Sequence, residues 1–268
     1  MSVLILGCGQ LGYAVGTALV AMGMAVHGVR RTPMAEPSPF PIHATNVGHS
    51  EDLAALAGRV PSRIDTIIVS AYPALRHDQP DPLPACLTAC GRLWSRARLI
   101  YTSSTQIYAD AAGAWVDEYG AYAGNDPAHA FLSAEQRVLE RPEGLVLRLG
   151  QIVSRGRLLQ MRSRVASPSV TVPGDPDRWL NYIHEYDIVD VMRIACHDDR
   201  LRGCYNLVHP SPIRVRDWLL TIAAVHDMHI AVHGSDGSMP NRRIDARRIR
   251  AACPSIGWHD LRGTPCLP

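Results

Sequence analysis

Apolar positions along this chain alternate between short solid runs and longer stretches of mixed polarity. Val3 to Leu6, Ala25 to Val29, Ile42 to Ala44, Asp65 to Ala71, Arg98 to Thr102 and Leu145 to Leu149 are the runs. Runs this short, bounded by turn residues, predict strands buried on both faces. Between them, helices are predicted to Met22, over Glu51–Ala57 with Ser50 as N-cap, over about Ala85–Arg96, and to Glu140 behind Asp126-Pro127 as N-cap and N1. The Pro-rich stretch from Thr32 to Pro41 and the segment Gln106 to Asn125 read as loops. Strand–helix alternation to about residue 150 predicts an α/β protein with a parallel, doubly wound sheet. Beyond it, short strands at Val170–Val172, Asn181–Ile183 and Cys204–Val208 and helices at Tyr186–Ala195 and Arg214–Val225 predict a smaller C-terminal lobe on the substrate side. The predicted division is therefore 1–150 and 151–268.

The first strand breaks into Gly7-x-Gly9-x-x-Gly12 ahead of an apolar helix. In a Rossmann-type dinucleotide fold these glycines serve a tight turn, close backbone approach to a pyrophosphate, and helix–strand contact. The free amides and dipole at the helix start favour an anion, which makes Gly7, Gly9, Gln10, Leu11 and Gly12 the candidate cradle. The second strand ends in Arg30-Arg31, with no acidic residue in place to hold a ribose 2′-hydroxyl. Two guanidiniums there suit a 2′-phosphate and predict NADP rather than NAD. Ala71 and Tyr72, after the next buried strand, are expected at the carboxyl edge of the sheet and in the cofactor crevice.

Composition narrows the chemistry. The chain has 268 residues, 47% of them hydrophobic and 19% charged, and a net charge of +2. That small, dispersed charge argues against nucleic acid, and no apolar span is long enough for a bilayer. Seven cysteines without a CxxC pair, and no signal-like leader, predict a reducing cytoplasmic setting. All 27 basic residues are arginine, so mechanisms that need a lysine are excluded.

Five stretches occur in a telling order: the glycine turn, Tyr101-Thr-Ser-Ser-Thr-Gln-Ile-Tyr108, Leu147-Arg-Leu-Gly150, Asn181-Tyr-Ile-His-Glu-Tyr-Asp187 and Cys204-Tyr-Asn-Leu207. Together they resemble the extended and atypical short-chain dehydrogenase/reductases, the NAD-dependent epimerase/dehydratase-like group. The resemblance spans nearly the whole chain. It implies a small-molecule substrate, a possible homodimer, and Ser104 beside a reacting carbonyl. It also implies a Tyr and a Lys four residues apart on one helix face. Setting Glu135-Gln136 against the acidic residue that follows that pair puts Pro127 and Phe131 in its two places. The usual proton relay is therefore missing, and the chain resembles an atypical member.

Ser104 is either a substrate hydroxyl or a cap on the strand-to-loop turn. Tyr108 is either a proton donor or a residue packing the loop. His129, two residues from the Tyr place, should face away on a helix of about 3.6 residues per turn. His226, His229 and His233 span a helix end and a strand, so their rings need not converge, and with only Asp227 adjacent as an acid they do not predict a metal site. His184 reads as a structural imidazole, and Cys86 and Cys90 as packing residues. Arg155 and Arg157 are candidates for an anionic substrate group, and Arg242 to Arg250 reads as the exposed face of a terminal helix. The reading is an NADPH-dependent reductase of a carbonyl or imine. The alternatives are a non-catalytic NADP-binding sensor and a sugar-nucleotide-type epimerase or dehydratase.

Overall fold

A computed structural model describes residues 1–34, 36–71 and 81–261. In chain order these form β1 (Ser2–Leu6), α1 (Gln10–Ala21), β2 (Ala25–Arg30), β3 (Ile42–Ala44), α2 (Ser50–Ala57), β4 (Thr66–Val69), α3 (Leu83–Leu93) and β5 (Arg98–Ser104). A 3-10 turn at Thr105–Ile107 leads to β6 (Trp115–Val116), α4 (Asp126–Leu139), β7 (Leu145–Leu149) and β8 (Gln151–Val153). There follow α5 (Arg155–Val165), β9 (Ser169–Pro173), β10 (Trp179–Leu180), β11 (Tyr182–His184) and α6 (Glu185–His197). Last come β12 (Gly203–Leu207), β13 (Ile213–Arg214), α7 (Val215–Val225), β14 (Ala231–Ser235), β15 (Arg243–Ile244) and α8 (Arg247–Ala252).

The described residues divide into two compact units. The first comprises Met1–Ile107, Gly124–Arg148 and Val189–Tyr205; the second comprises Tyr108–Ala123, Leu149–Ile188 and the residues from Asn206 on. Residues 108–123 thus leave the first unit, and residues 189–205 return to it.

In the first unit a seven-stranded sheet runs in the order β12-β7-β5-β4-β1-β2-β3, with β12 crossing the unit boundary. The pairs β1–β2, β1–β4, β2–β3 and β4–β5 are parallel, as a Rossmann-type core requires. Val3 to Leu6 and Ile67 to Val69 have at most 1% exposure, because helices cover both sheet faces. Asp65 fastens the chain end, its carboxylate accepting the Ser2 amide at 2.8 Å. Arg98 opens β5 beside it, its amide on the Asp65 carbonyl at 3.0 Å. Its guanidinium donates to the carbonyls of Ala195 in the last turn of α6, of Asp198 and Leu201 beyond that helix, and of Glu143 ahead of β7.

The second unit is built from paired short strands, β8–β11 and β9–β14 parallel and β10–β13 antiparallel, with β6–β15 also parallel. Its core gathers Val153, Leu158, Tyr182, Leu219, Ile222 and Leu261. Three local expectations shift. The cap of α4 is Asn125, whose side chain accepts the Ala128 amide, rather than Asp126. His49 rather than Ser50 precedes α2. The arginine run is no single helix face, since Arg242 is buried, Arg243 lies in β15, and α8 starts only at Arg247. Fully buried Ile244, paired to β6, holds that stretch extended. Among the described residues no helix is long and apolar enough to cross a membrane.

Candidate functional site

The glycine turn is assembled from the ends of β1, β2 and β4. Gly7 takes φ +88°, a left-handed conformation that favours glycine. A Cβ there would lie 2.6 Å from the Ser70 carbonyl oxygen and 2.8 Å from the Ala71 nitrogen, so the turn is pressed against the end of β4. The Gly7 and Cys8 amides both donate to the Val29 carbonyl, at 3.0 and 2.7 Å, tying the turn to β2. Gly12 brings α1 down onto the turn, since its Cβ would come within 2.8 Å of the Gly7 oxygen. Around Gly9 the space is open: a Cβ there would meet nothing within 4 Å. Helix α1 has no side-chain cap and no acidic residue in its first turn, so its positive end is left uncompensated.

Gly7, Gly9, Gln10, Leu11 and Gly12 thus come together, with Ala71 beside them. An open glycine over an uncapped helix start fits a dinucleotide pyrophosphate. Tyr72 lies outside the described residues. Arg30 closes β2, and its guanidinium reaches the Thr32 hydroxyl at 3.4 Å, while Arg31 is exposed. Cys8, inside the motif, has its thiol pushed up to about 11 by burial, against the opposing pull of Arg30.

At the end of β5, residues Tyr101 to Ser104 are all buried. Ser104 Oγ accepts the Gln106 amide at 3.2 Å, which caps the following turn. A hydroxyl has one proton and two lone pairs, and among the described residues the Ser104 proton is committed to no acceptor. Ser103 instead donates to Glu135 Oε1 at 2.5 Å. Glu135, on α4, is gripped by Arg148 of β7, in a buried ion pair. This Ser103–Glu135–Arg148 network was missed in the sequence, although its signal was there: an arginine inside the apolar run Leu145–Leu149 demands a buried acid.

Phe131, at the Lys place, is 2% exposed and packed into the core, and Pro127 stands at the Tyr place near the start of α4. His129 is exposed. Tyr108, in the second unit, is completely buried and its hydroxyl donates to Asn206 Oδ1 at 2.6 Å. Asn206 is itself fixed, its amide on Glu118 at 2.9 Å and its side chain on the Asp245 carbonyl at 3.3 Å.

His184 is 1% exposed, and its Nδ1 accepts the Tyr186 amide at 3.1 Å. Burial, helped by the neighbouring His259, pushes its pKa down to about 4. Asp187 is fully buried and pairs with His259 through Nδ1 at 2.5 Å and the backbone amide at 3.2 Å; burial pushes its carboxyl upward. Cys86 and Cys90 are buried on α3. His226 ends α7, His229 is exposed in the loop beyond it, and His233 lies on β14. Among the described residues no group of three His, Cys, Asp or Glu side chains is arranged to hold a metal. Arg157 sits in the first turn of α5, its amide on Ser154 Oγ at 3.4 Å; the Arg155 side chain lies outside the described residues.

Comparison with known proteins bears on this geometry. No protein-family model matches the chain. A dTDP-6-deoxy-L-talose 4-dehydrogenase (NAD(P)(+)) of Kitasatospora kifunensis is 26% identical over 291 residues, covering 96% of this chain and 89% of the relative. MoeE5, solved with UDP-glucose and NAD, superposes with a TM-score of 0.79 at 18% identity, over 98% of this chain and 95% of that one. The UDP-glucose 4-epimerase of Thermus thermophilus, solved with NAD, gives 0.80 at 18% identity, over 96% and 95%.

The chain has a Rossmann-type fold and is similar, at low identity, to several epimerase- and dehydrogenase-type enzymes. The expectation of NADP is corrected by the same comparisons, because the solved relatives carry NAD. The physical reason lies in the arginines. Arg30 spends a donor on Thr32 and Arg31 extends into solvent, and a guanidinium at this strand end can stack on a flat ring as well as pair with a phosphate.

Proposed function

We propose that this protein is an NAD-dependent enzyme that transfers hydride at a secondary alcohol or ketone carbon of a sugar nucleotide. The observation that carries the reading is the glycine turn, with Gly7 wedged on β4 and the face of Gly9 left open. Similarity to a talose 4-dehydrogenase and to sugar-nucleotide enzymes supports the substrate class over a general carbonyl or imine substrate.

In this reading Gly7, Gly9, Gln10, Leu11 and Gly12 bind the pyrophosphate, and Ala71 lines the crevice. Arg30 and Arg31 border the adenosine end. Bound NAD supplies the hydride chemistry, and the protein's task is alignment. Ser104 donates its uncommitted hydroxyl proton to the substrate oxygen, which polarises the carbonyl. Tyr108, spent on Asn206, positions the loop after β5. With no Tyr–Lys relay, the proton reaches the oxygen from solvent through Ser104.

The test has two parts. Calorimetry with NAD should show binding that Gly9→Leu abolishes while the circular dichroism spectrum stays unchanged. NADH oxidation should then be followed with a panel of nucleoside-diphosphate 4-keto sugars. Turnover with at least one supports the reading, and binding without turnover across the panel overturns its catalytic half. That second outcome matches the other reading, an NAD-binding sensor, which buried Phe131 in the Lys place favours.

A further inference from the structure

The second unit contains a feature that hydride transfer does not use. Four flat side chains stand in alternation, Arg214, Trp179, Arg243 and Trp115. The Arg214 guanidinium carbon lies 3.6 Å from the Trp179 ring centroid, and that of Arg243 lies 5.4 Å from Trp179 and 5.0 Å from Trp115. The polar contacts of both arginines are neutral: Arg214 donates to the Asp177 carbonyl at 2.5 Å and Arg243 to the Gly113 carbonyl at 2.8 Å. Among the described residues neither forms an ion pair, and the Asp177 carboxylate, which feels Arg214, is held by Arg216.

The ladder ends at an opening. Trp115 is 51% exposed, and beside it lies a cavity of about 360 Å³ walled by Trp115, Pro210, Asp245, Ala246, Arg247 and Arg250. That volume falls within the range of small-molecule pockets, roughly 300–1,000 Å³. The β6–β15 pairing needs only the backbone of Trp115, which does not account for an indole left half in water. Of the two acids at hand, Asp245 is bound by Arg247, Nη2 to Oδ2 at 2.6 Å, and Asp117 also faces Arg247. Arg250 is exposed and, among the described residues, has no carboxylate partner. The wall therefore offers a ring to stack on and a guanidinium with free donors.

We propose that this cavity binds a small phosphate monoester bearing a flat ring, such as a nucleoside monophosphate, with the ring on Trp115 and the phosphate on Arg250. Arginine suits the phosphate because its fork makes two parallel hydrogen bonds, and indole suits the ring because a base stacks on it whatever its edge pattern. The site lies wholly within the second unit and is independent of the NAD reading.

The test is titration of the full chain with adenosine 5′-monophosphate by calorimetry, under saturating NAD to keep the probe from the glycine turn. Trp115→Leu and Arg250→Gln should each weaken AMP binding about tenfold or more and leave NAD affinity unchanged. Adenosine and inorganic phosphate should each bind at least about tenfold more weakly than AMP, since each keeps half of the recognition. The proposal is overturned if AMP does not bind at millimolar concentration, if neither variant changes its affinity, or if phosphate alone binds as well. Should Trp115→Leu misfold by circular dichroism, Arg250→Gln decides, because that side chain is exposed. Loss of NAD binding with retained, Trp115-dependent AMP binding would sink the NAD reading and leave this one standing.

Discussion

Arg148 and Glu135 meet as two planar groups in register, Nε to Oε1 at 3.1 Å and Nη2 to Oε2 at 2.7 Å, with both side chains 3% exposed. Ser103 adds a third bond to the same carboxylate, so α4, β5 and β7 are joined at one buried point. Removing one partner strands a charge away from water. Arg148→Met or Glu135→Leu alone should cost about 3–5 kcal/mol in urea denaturation, whereas the double replacement should cost clearly less. A double variant that loses as much as the two single variants added together would show that the pair is not coupled.

Phe131 occupies the place where a relay lysine would stand, and it is packed among core side chains. Phe131→Lys should therefore not restore a relay. It should bury an ammonium without a partner and lower stability by several kcal/mol, read as a fall in thermal midpoint. An unchanged midpoint with a gain in turnover would refute this.

Ser103 and Ser104 are neighbours with separate duties. Ser104→Ala should reduce turnover about 10²–10³-fold, the usual cost of losing one donor to a developing oxyanion, with NAD affinity unchanged. Ser103→Ala should act mainly on stability, by about 1–3 kcal/mol, because it leaves Glu135 one bond short. Steady-state kinetics and denaturation on the same pair of variants separate the two.

Tyr108→Phe removes the hydroxyl bonded to Asn206. The expected result is about 1–3 kcal/mol lost in denaturation and turnover within a few-fold of the parent. A loss of turnover as large as that of Ser104→Ala would instead make Tyr108 the proton donor.

His184 predicts a pH dependence. In the fold it stays neutral down to about pH 4, whereas the unfolded chain protonates it near its ordinary 6.5. Between those values the unfolded state binds more protons, so stability falls as the pH is lowered through that window, by on the order of 3 kcal/mol. Asp187 acts in the opposite sense. Its raised pKa lets the folded state bind more protons just above the ordinary 3.8, which adds stability on acidification there. Denaturation at pH 7.5, 6, 5 and 4.5 should show the loss in the parent and a flatter profile in His184→Gln.

The glycine turn was legible because its chemistry is local: Gly7, Gly9 and Gly12 follow one another on the strand, turn and helix that use them. The parallel strands were legible for the same reason, as each is a solid apolar run. Partnerships across long sequence separations were not. Tyr108 meets Asn206 and Trp115 meets Arg243 only after the chain has crossed more than ninety residues, and no spacing rule encodes that. The arginine run at Arg242–Arg250 misled because composition alone suggested a solvated helix, while burial of Ile244 against β6 decided for a strand. The cofactor preference misled because a guanidinium is compatible with more than one neighbour.

The division of the chain has a consequence for how it can fold during synthesis. The chain passes between the two units after residues 107, 123, 148, 188 and 205. A ribosome that has released 150 residues has therefore completed neither unit, and the sheet edge at β12 waits for residue 203. At about 5–20 residues per second, β7 spends several seconds emerged without its outer neighbour β12. Truncation libraries and split reporters cut at 148 should for the same reason yield insoluble halves that recover only when co-expressed.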